Sequence, residues 1–320
     1  MTNYSTYDLS QDPPVVTVPR DYNVAVDFVD RRVEEGLGDK VAFIDDGGFH
    51  TYGELQANVN RFGNALRGLG IRVEGRVMLL QLDSIDFPIA FFGAIKAGMV
   101  PVPVNTLLST DDYDYMLRDS RAGVLVVSAV LLPVVTPILC QLPHLDHVIV
   151  TGDGDVGPHR TMNSVLKDAN AELVAADTSA DDVAFWLYSS GSTGRAKGAA
   201  HLQSDMINTA VLYGMGVLGI RVDDVVYSAA KLFFAYGLGN ALTFPMAVGA
   251  TAVLMAGRPT PETVMARVHD NETTIFFGVP TLYAGILADD AIDRAAASPN
   301  LRHCVSAGEA LPEDVAKRWA

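Results

Sequence analysis

Residues 183–202 read VAFWLYSSGSTGRAKGAAHL, and their reading decides the fold. The apolar run at 183–187 predicts a strand. Residues 188–198 then crowd hydroxyls, glycines and two cations into one loop. Gly191 and Gly194 open backbone conformations that other residues avoid, and they let the main chain approach a ligand closely. A tight turn of this kind points several N–H groups at one anion. Ser189, Ser190, Ser192 and Thr193 add hydroxyl donors, and Arg195 and Lys197 add positive charge. Residues 198–202 predict a second short strand, so the loop is expected on a rigid edge. These residue types in this order suit polyphosphate binding.

Competing loops fit less well. A flexible Ser/Gly surface turn seldom has a strand before it and a fixed lysine behind it. The Walker pattern G-x-x-x-x-G-K-[ST] fails, because Lys197 is followed by Gly198 and no glycine directly precedes it. The nucleophile elbow G-x-S-x-G is absent. A Ser/Lys amidase, working from the serine-rich loop and Lys197 alone, stays open.

Outward from this loop the chain alternates strand and helix patterns. Strands are expected at 76–82, 123–127, 148–150, 225–228, 251–255 and 274–277, and helices at 85–96, 203–214 and 261–270. Gly98 is placed to cap the helix at 85–96. Tyr52, Leu55, Val59, Phe62, Leu66 and Leu69 recur at three and four residues and form one apolar stripe. Thr51 and Glu54 stand before it at capping-box spacing. This succession predicts an α/β fold with mostly parallel sheets flanked by helices. Three parts are expected: an extended segment at 1–21, a first α/β subdomain at 22–180 and a second at 181–320, which carries the loop. Residues 152–159 read as a loop and 177–182 as a linker.

The bulk properties bound the function. The chain has 320 residues, 49% of them hydrophobic, enough for a sizeable core. Its formal net charge of −15 disfavours a nucleic-acid partner, which needs a basic footprint. Two cysteines, Cys140 and Cys304, give neither a disulfide framework nor a zinc pattern and fit a reducing compartment, so the cytoplasm is expected. Residues 1–20 carry no apolar signal region. Two uncharged runs, 122–140 and 232–257, are long enough to raise a membrane span. Prolines and glycines interrupt both, so buried strand and helix pieces are expected and no membrane insertion. His144 and His147 lack a third ligand, and no metal site is expected among protein side chains. His201 reads as packed or solvated.

The string YSSGSTGRAKG resembles the signature loop of the adenylate-forming superfamily, which includes acyl-CoA synthetases, luciferases and peptide-synthetase adenylation domains. Further blocks resemble the same family in order: TYGEL at 51–55, IKAGMVPVPV at 95–104, KLFFAYG at 231–237, FGVPTLY at 277–283 and SAGEALP at 306–312. The resemblance implies the large N-terminal domain of an adenylate-forming enzyme. It implies ATP, Mg²⁺ and CoA as substrates and cofactor. It gives Ser189, Ser190, Gly191, Ser192, Thr193, Gly194 and Lys197 the ATP phosphates, with Lys197 in the catalytic role. It gives Gly308, Glu309 and Ala310 the adenine, and Phe234, Ala235, Tyr236, Gly237 and Ala307 the carboxylate-substrate pocket. Without it, the aromatics read as core and SAGEALP as an ordinary strand-to-helix turn, with Gly308 bending the chain and Pro312 opening the next helix.

Adenylation domains for amino acids place an Asp near the start of the pocket block, and residues 230–240 hold no carboxylate. Bulky Phe233, Phe234 and Tyr236 disfavour a long acyl tunnel, whereas flat rings suit a flat ring. Ala235 and Gly237 are expected to leave the slot for it. KLFFAYGLGN and FFGVPTLYA are most similar to benzoate-CoA ligases. The resemblance implies an acyl-adenylate made from ATP and an aromatic acid, then a thioester with CoA. The family's later Thr-Glu motif, ribose-binding Asp and mobile C-terminal domain have no counterpart before Ala320. The chain is therefore expected to be part of a longer enzyme and impaired alone. A truncated homologue that binds nucleotide or carboxylate without turnover is the third reading.

Overall fold

Two sheets carry most strands of the computed structural model, which describes residues 4–189 and 194–319. The five-stranded sheet runs Val100–Pro103, Arg76–Leu80, Val124–Ser128, His147–Thr151, Arg160–Thr161, with every neighbouring pair parallel. The six-stranded sheet runs His303–Ser306, Ile275–Gly278, Val225–Ser228, Thr251–Val253, Val41–Asp45, Gly48–Thr51. Its pairs are parallel except the last, which is a tight hairpin. This is the α/β architecture with helix-flanked, mostly parallel sheets that the alternating pattern predicts. Strands at 41–51 join the sheet of the later residues, so sheet membership crosses residue 180. The extended segment at the N-terminus forms a small antiparallel pair, Thr6–Asp8 with Val15–Thr17.

The helices follow local chemistry. Tyr52–Gly68 begins at a complete capping box: the Glu54 amide donates to Thr51 Oγ1 at 3.2 Å, and the Thr51 amide donates to Glu54 Oε2 at 2.8 Å. Its buried side includes Tyr52, Leu55, Val59, Phe62 and Leu66. Asp86–Lys96 stops where Gly98 takes φ +87°, with Met99 N–H returning to the Ala94 carbonyl. That is a left-handed glycine cap. The helix expected at 203–214 is α-helical over Gln203–Thr209 and widens to i→i+5 turns over Ala210–Met215. The run at 122–140 resolves into a strand and the helix Leu132–Leu139. The run at 232–257 breaks at Gly249, where φ is +78°. Among the described residues no helix is long and apolar enough to cross a membrane.

The hairpin of Val183–Ser189 and Lys197–Leu202 packs between two apolar clusters. Alternation along the strand sends Phe185 and Leu187 to one and Trp186 and Tyr188 to the other. Phe185 meets Phe91 at 5.5 Å between ring centres and stacks on His201 at 4.6 Å. The expected rigid edge is therefore fixed from both sides. One charge is buried nearby: Lys96 Nζ donates to Asp30 at 2.6 Å and to Asn60 Oδ1 at 2.6 Å. Paired and hydrogen-bonded in this way, an ammonium is tolerated inside.

Candidate active site

Ser189 and Lys197 face each other as paired residues at the loop end of the hairpin. Both are exposed. Gly194 lies between them with φ +113°, a conformation that favours glycine. Ser190, Gly191, Ser192 and Thr193 lie outside the described residues. The helix Thr110–Ser120 anchors the hairpin: Tyr115 donates to the Ala196 carbonyl at 3.0 Å, and Tyr188 donates to Asp119 Oδ2 at 2.7 Å. Burial, then the Asp119 carboxylate, pushes the Tyr188 phenol well above its usual range, so it stays a donor. The Arg195 guanidinium lies over the Tyr115 ring, 5.0 Å from the centre. It borders an open cleft of about 560 Å³ with Asp111, Asp114, Arg118 and Asp119. Lys197 makes no ion pair with a described residue and stands exposed opposite Ser189.

A second group forms at the end of the six-stranded sheet. Tyr236 Oη donates to the Gly278 carbonyl at 3.2 Å and reaches the Val305 carbonyl at 3.4 Å. The Ala307 amide donates to the same Gly278 carbonyl at 3.4 Å. Tyr236 and Ala307, far apart in sequence, are thus gathered on one oxygen. Tyr236 also meets Phe277 edge-on at 6.4 Å. Phe233 is buried, whereas Phe234 is 48% exposed and Ala235 is exposed. Their rings touch at 4.4 Å. Gly237 departs from expectation. A Cβ there would meet the Lys231 carbonyl at 2.1 Å and the Ala230 carbonyl at 2.5 Å. Its missing side chain admits the chain's own backbone, and it leaves no slot for a ring.

Gly308 takes φ +94° after the strand His303–Ser306, so the chain turns there before the helix Glu313–Trp319. Gly308, Glu309 and Ala310 are exposed and Ala307 half-buried. Tyr283 braces this turn: its hydroxyl donates to the Val305 carbonyl at 2.9 Å, and its ring meets Trp319 edge-on at 4.6 Å. The strand is pinned at its other end by Arg302, which grips Asp224 through Nε at 2.8 Å and a terminal nitrogen at 2.5 Å.

Residues the sequence did not single out also shape the site. Both oxygens of buried Asp83 accept from the Leu232 amide, at 3.2 and 3.3 Å. Burial lifts the Asp83 carboxyl to about 6, against the pull of Lys231. Gly278 could have been suspected from its place between strand and helix in FGVPTLY; Asp83 carried no local signal. Among the described residues no group of three or more His, Cys, Asp or Glu is placed to hold a metal ion. His147 reaches the Leu69 carbonyl at 3.3 Å, and His144 is exposed.

Residues 29–320 match the model of the AMP-binding enzyme family. The chain is 52% identical over all 320 of its residues to a benzoate–CoA ligase of Thauera aromatica, of which it spans 60%. It is 48% identical over 300 residues to a 4-hydroxybenzoate–CoA/benzoate–CoA ligase of Rhodopseudomonas palustris, of which it spans 55%. Among solved structures, a benzoate CoA ligase from Burkholderia xenovorans superposes with a TM-score of 0.86 at 44% identity, over 93% of this chain and 58% of that one. An anthranilate CoA ligase in complex with anthranoyl-AMP gives a TM-score of 0.90 at 37% identity, over 94% of this chain and 58% of that one. With the hairpin, the aromatic block and the SAGEALP turn in family order, and the family model covering nearly the whole length, the chain belongs to the AMP-binding enzymes.

Proposed function

We propose that this chain is the nucleotide- and acid-binding part of an aryl-CoA ligase, with benzoate or a close aromatic relative as the acid. One observation carries the reading: the Gly278 carbonyl joins Tyr236 of the aromatic block to Ala307 of the SAGEALP turn. An acid bound against Tyr236 would lie beside the stretch assigned to adenine, so acid and nucleotide would share one site, as attack on the α-phosphate requires. Relatives named for benzoate and hydroxybenzoate support the substrate class.

In this reading the acid's carboxylate attacks the α-phosphate of ATP, the bond to pyrophosphate breaks, and the acyl-adenylate forms. CoA thiolate then displaces AMP. Charge builds on the phosphate oxygens during the first step, so fixed donors and cations are the main tools. Lys197 at the hairpin mouth supplies one cation, and Ser189 a hydroxyl. The wall of residues 234–237 carries no charge, which favours a neutral acyl group over an amino acid. Any Mg²⁺ accompanying ATP would be held chiefly through phosphates. The residues at 189–197 and 307–310 are proposed in the roles that the resemblance gives them, and the cytoplasm is the proposed compartment.

The test is exchange of labelled pyrophosphate into ATP by the gene product. Exchange that depends on benzoate and needs no CoA is expected. Amide hydrolysis without ATP, and no exchange with any carboxylate, would overturn the reading in favour of an amidase.

A further inference from the structure

Asp83 lies in the turn after the strand Arg76–Leu80 and is 4% exposed. Burying a carboxylate costs several kcal/mol unless it is paired or well bonded. Asp83 has one backbone donor, the Leu232 N–H, shared by both oxygens. The ionisable groups facing it are Lys231 and Tyr227. Lys231 does not close onto it: its ammonium donates to the Met255 and Gly257 carbonyls, the latter at 2.7 Å. A leucine or asparagine would be less costly here, so the acid needs another explanation.

The other end of the same peptide unit supplies one. The Leu232 N–H and the Lys231 carbonyl belong to one rigid plane. That carbonyl accepts from the Phe234 amide at 3.0 Å, and it is the atom against which Gly237 is packed. Phe234 in turn accepts from the Leu238 amide at 2.8 Å, opening the short helix Ala235–Leu238. Rotation of this plane would therefore move Phe234, Tyr236 and Gly237 together. Asp83 grips it from the five-stranded sheet, while Tyr236 is tied to the six-stranded sheet.

We propose that Asp83 is a positioning residue for the acid pocket: it sets the Lys231–Leu232 peptide plane and through it the aromatic wall at 234–237. The proposal rests on the reading of that wall as the acid site. The carboxyl's elevation to about 6 adds a readout, because the charged acceptor weakens as it protonates.

The experiment compares wild type, Asp83→Ala and Asp83→Asn, measuring benzoate and ATP dissociation constants across about pH 5.5–8, with amide exchange of residues 230–238. Loss of a bond to a charged acceptor weakens benzoate binding about tenfold in Asp83→Ala, with ATP affinity within about twofold. Asp83→Asn keeps a neutral acceptor, so it folds with the plane held and shows a flat pH profile. Wild type is expected to lose benzoate affinity below about pH 6. Equal losses for benzoate and ATP, or a pH profile that Asp83→Asn leaves intact, would overturn the inference. If wild type binds no aromatic acid, the functional reading fails on its own. The exchange data then decide separately: faster exchange at 230–238 in Asp83→Ala than in wild type and Asp83→Asn upholds the role of Asp83, and unchanged exchange in Asp83→Ala removes it.

Discussion

The Tyr236 hydroxyl and the Ala307 amide both donate to the Gly278 carbonyl, at 3.2 and 3.4 Å. One oxygen thus sets the spacing between the aromatic block and the turn assigned to adenine. Tyr236→Phe removes one of the two donors and keeps the ring. A stability loss of about 1 kcal/mol is expected, typical of a single hydrogen bond. If the block is the acid wall, benzoate affinity falls severalfold while ATP affinity holds. A melting temperature and two titrations check this, and proportional loss of both ligands would assign Tyr236 to packing alone.

Ala235 and Gly237 are expected to respond in opposite ways. Ala235 is exposed, so Ala235→Leu should leave the melting temperature nearly unchanged and reduce benzoate use more than propionate use. Gly237→Ala places a methyl on the Lys231 carbonyl, and overpacking there costs about 1–3 kcal/mol or more. Urea unfolding of both variants checks the pair. A destabilised Ala235→Leu beside a stable Gly237→Ala would mean that the turn is misplaced.

Lys197→Ala tests the hairpin mouth. Lys197 is exposed and its side chain bonds to no described residue, so folding should be indifferent to its loss. A cation aimed at phosphate is worth about 1.5–3 kcal/mol, hence a fall of tenfold or more in kcat/KM for ATP. Unchanged kinetics with varied ATP would remove this loop from the phosphate role.

Arg302→Ala removes the guanidinium that grips buried Asp224, which keeps Thr274 and the Arg221 amide as donors. Losing the charged donor while those two bonds remain costs about 1.5–3 kcal/mol. The strand His303–Ser306 should loosen, and with it the SAGEALP turn. Denaturant midpoints and exchange at residues 303–310 report this directly.

Stability should be greatest on the acid side of neutrality. Burial, then repulsion from Asp45, lifts Asp86 to about 6, and burial does the same for Asp83. Folded carboxyls with pKa values above the unfolded ~3.9 bind protons that the unfolded chain does not, so stability falls as pH rises from about 4 through 6. His50, raised by its bond to Asp45, contributes in the same direction: its stabilisation is full below its unfolded pKa of ~6.5 and lost as pH rises through the folded value. Asp45 and Asp224 are depressed and set the acid limit, since their contributions vanish as pH falls through their folded values. A melting-temperature maximum near pH 4 is expected, and Asp86→Asn should flatten its neutral side by roughly 1 kcal/mol or more.

What was legible in the sequence was local. The capping box at Thr51 and Glu54, the glycine stop at Gly98 and the hairpin strands each depend on residues a few positions apart. The loop at 188–198 could be proposed for phosphate because its chemistry is contiguous in the sequence. The Asp83–Leu232 contact spans 149 residues and leaves no periodic trace. Gly237 misled because a small residue beside aromatics looks like room for a ligand, and only the fold reveals the Lys231 carbonyl already there. The Arg195–Tyr115 contact is hidden for a similar reason: the ring comes from the helix Thr110–Ser120.

The six-stranded sheet carries a consequence for how the chain reaches its native state. Val41 and Thr251, joined where the early strand meets the late one, stand 210 residues apart. On the ribosome, at about 5–20 residues per second, the hairpin at 41–51 waits on the order of 10–40 s for its neighbour. Through that interval the edge of Val41–Asp45 is an unpaired template exposed to other chains. The five-stranded sheet closes with residues 76–161 alone and can assemble first. Yield in cells should therefore depend on chaperone capacity and on translation speed across residues 161–251 more than on the melting temperature of the finished protein.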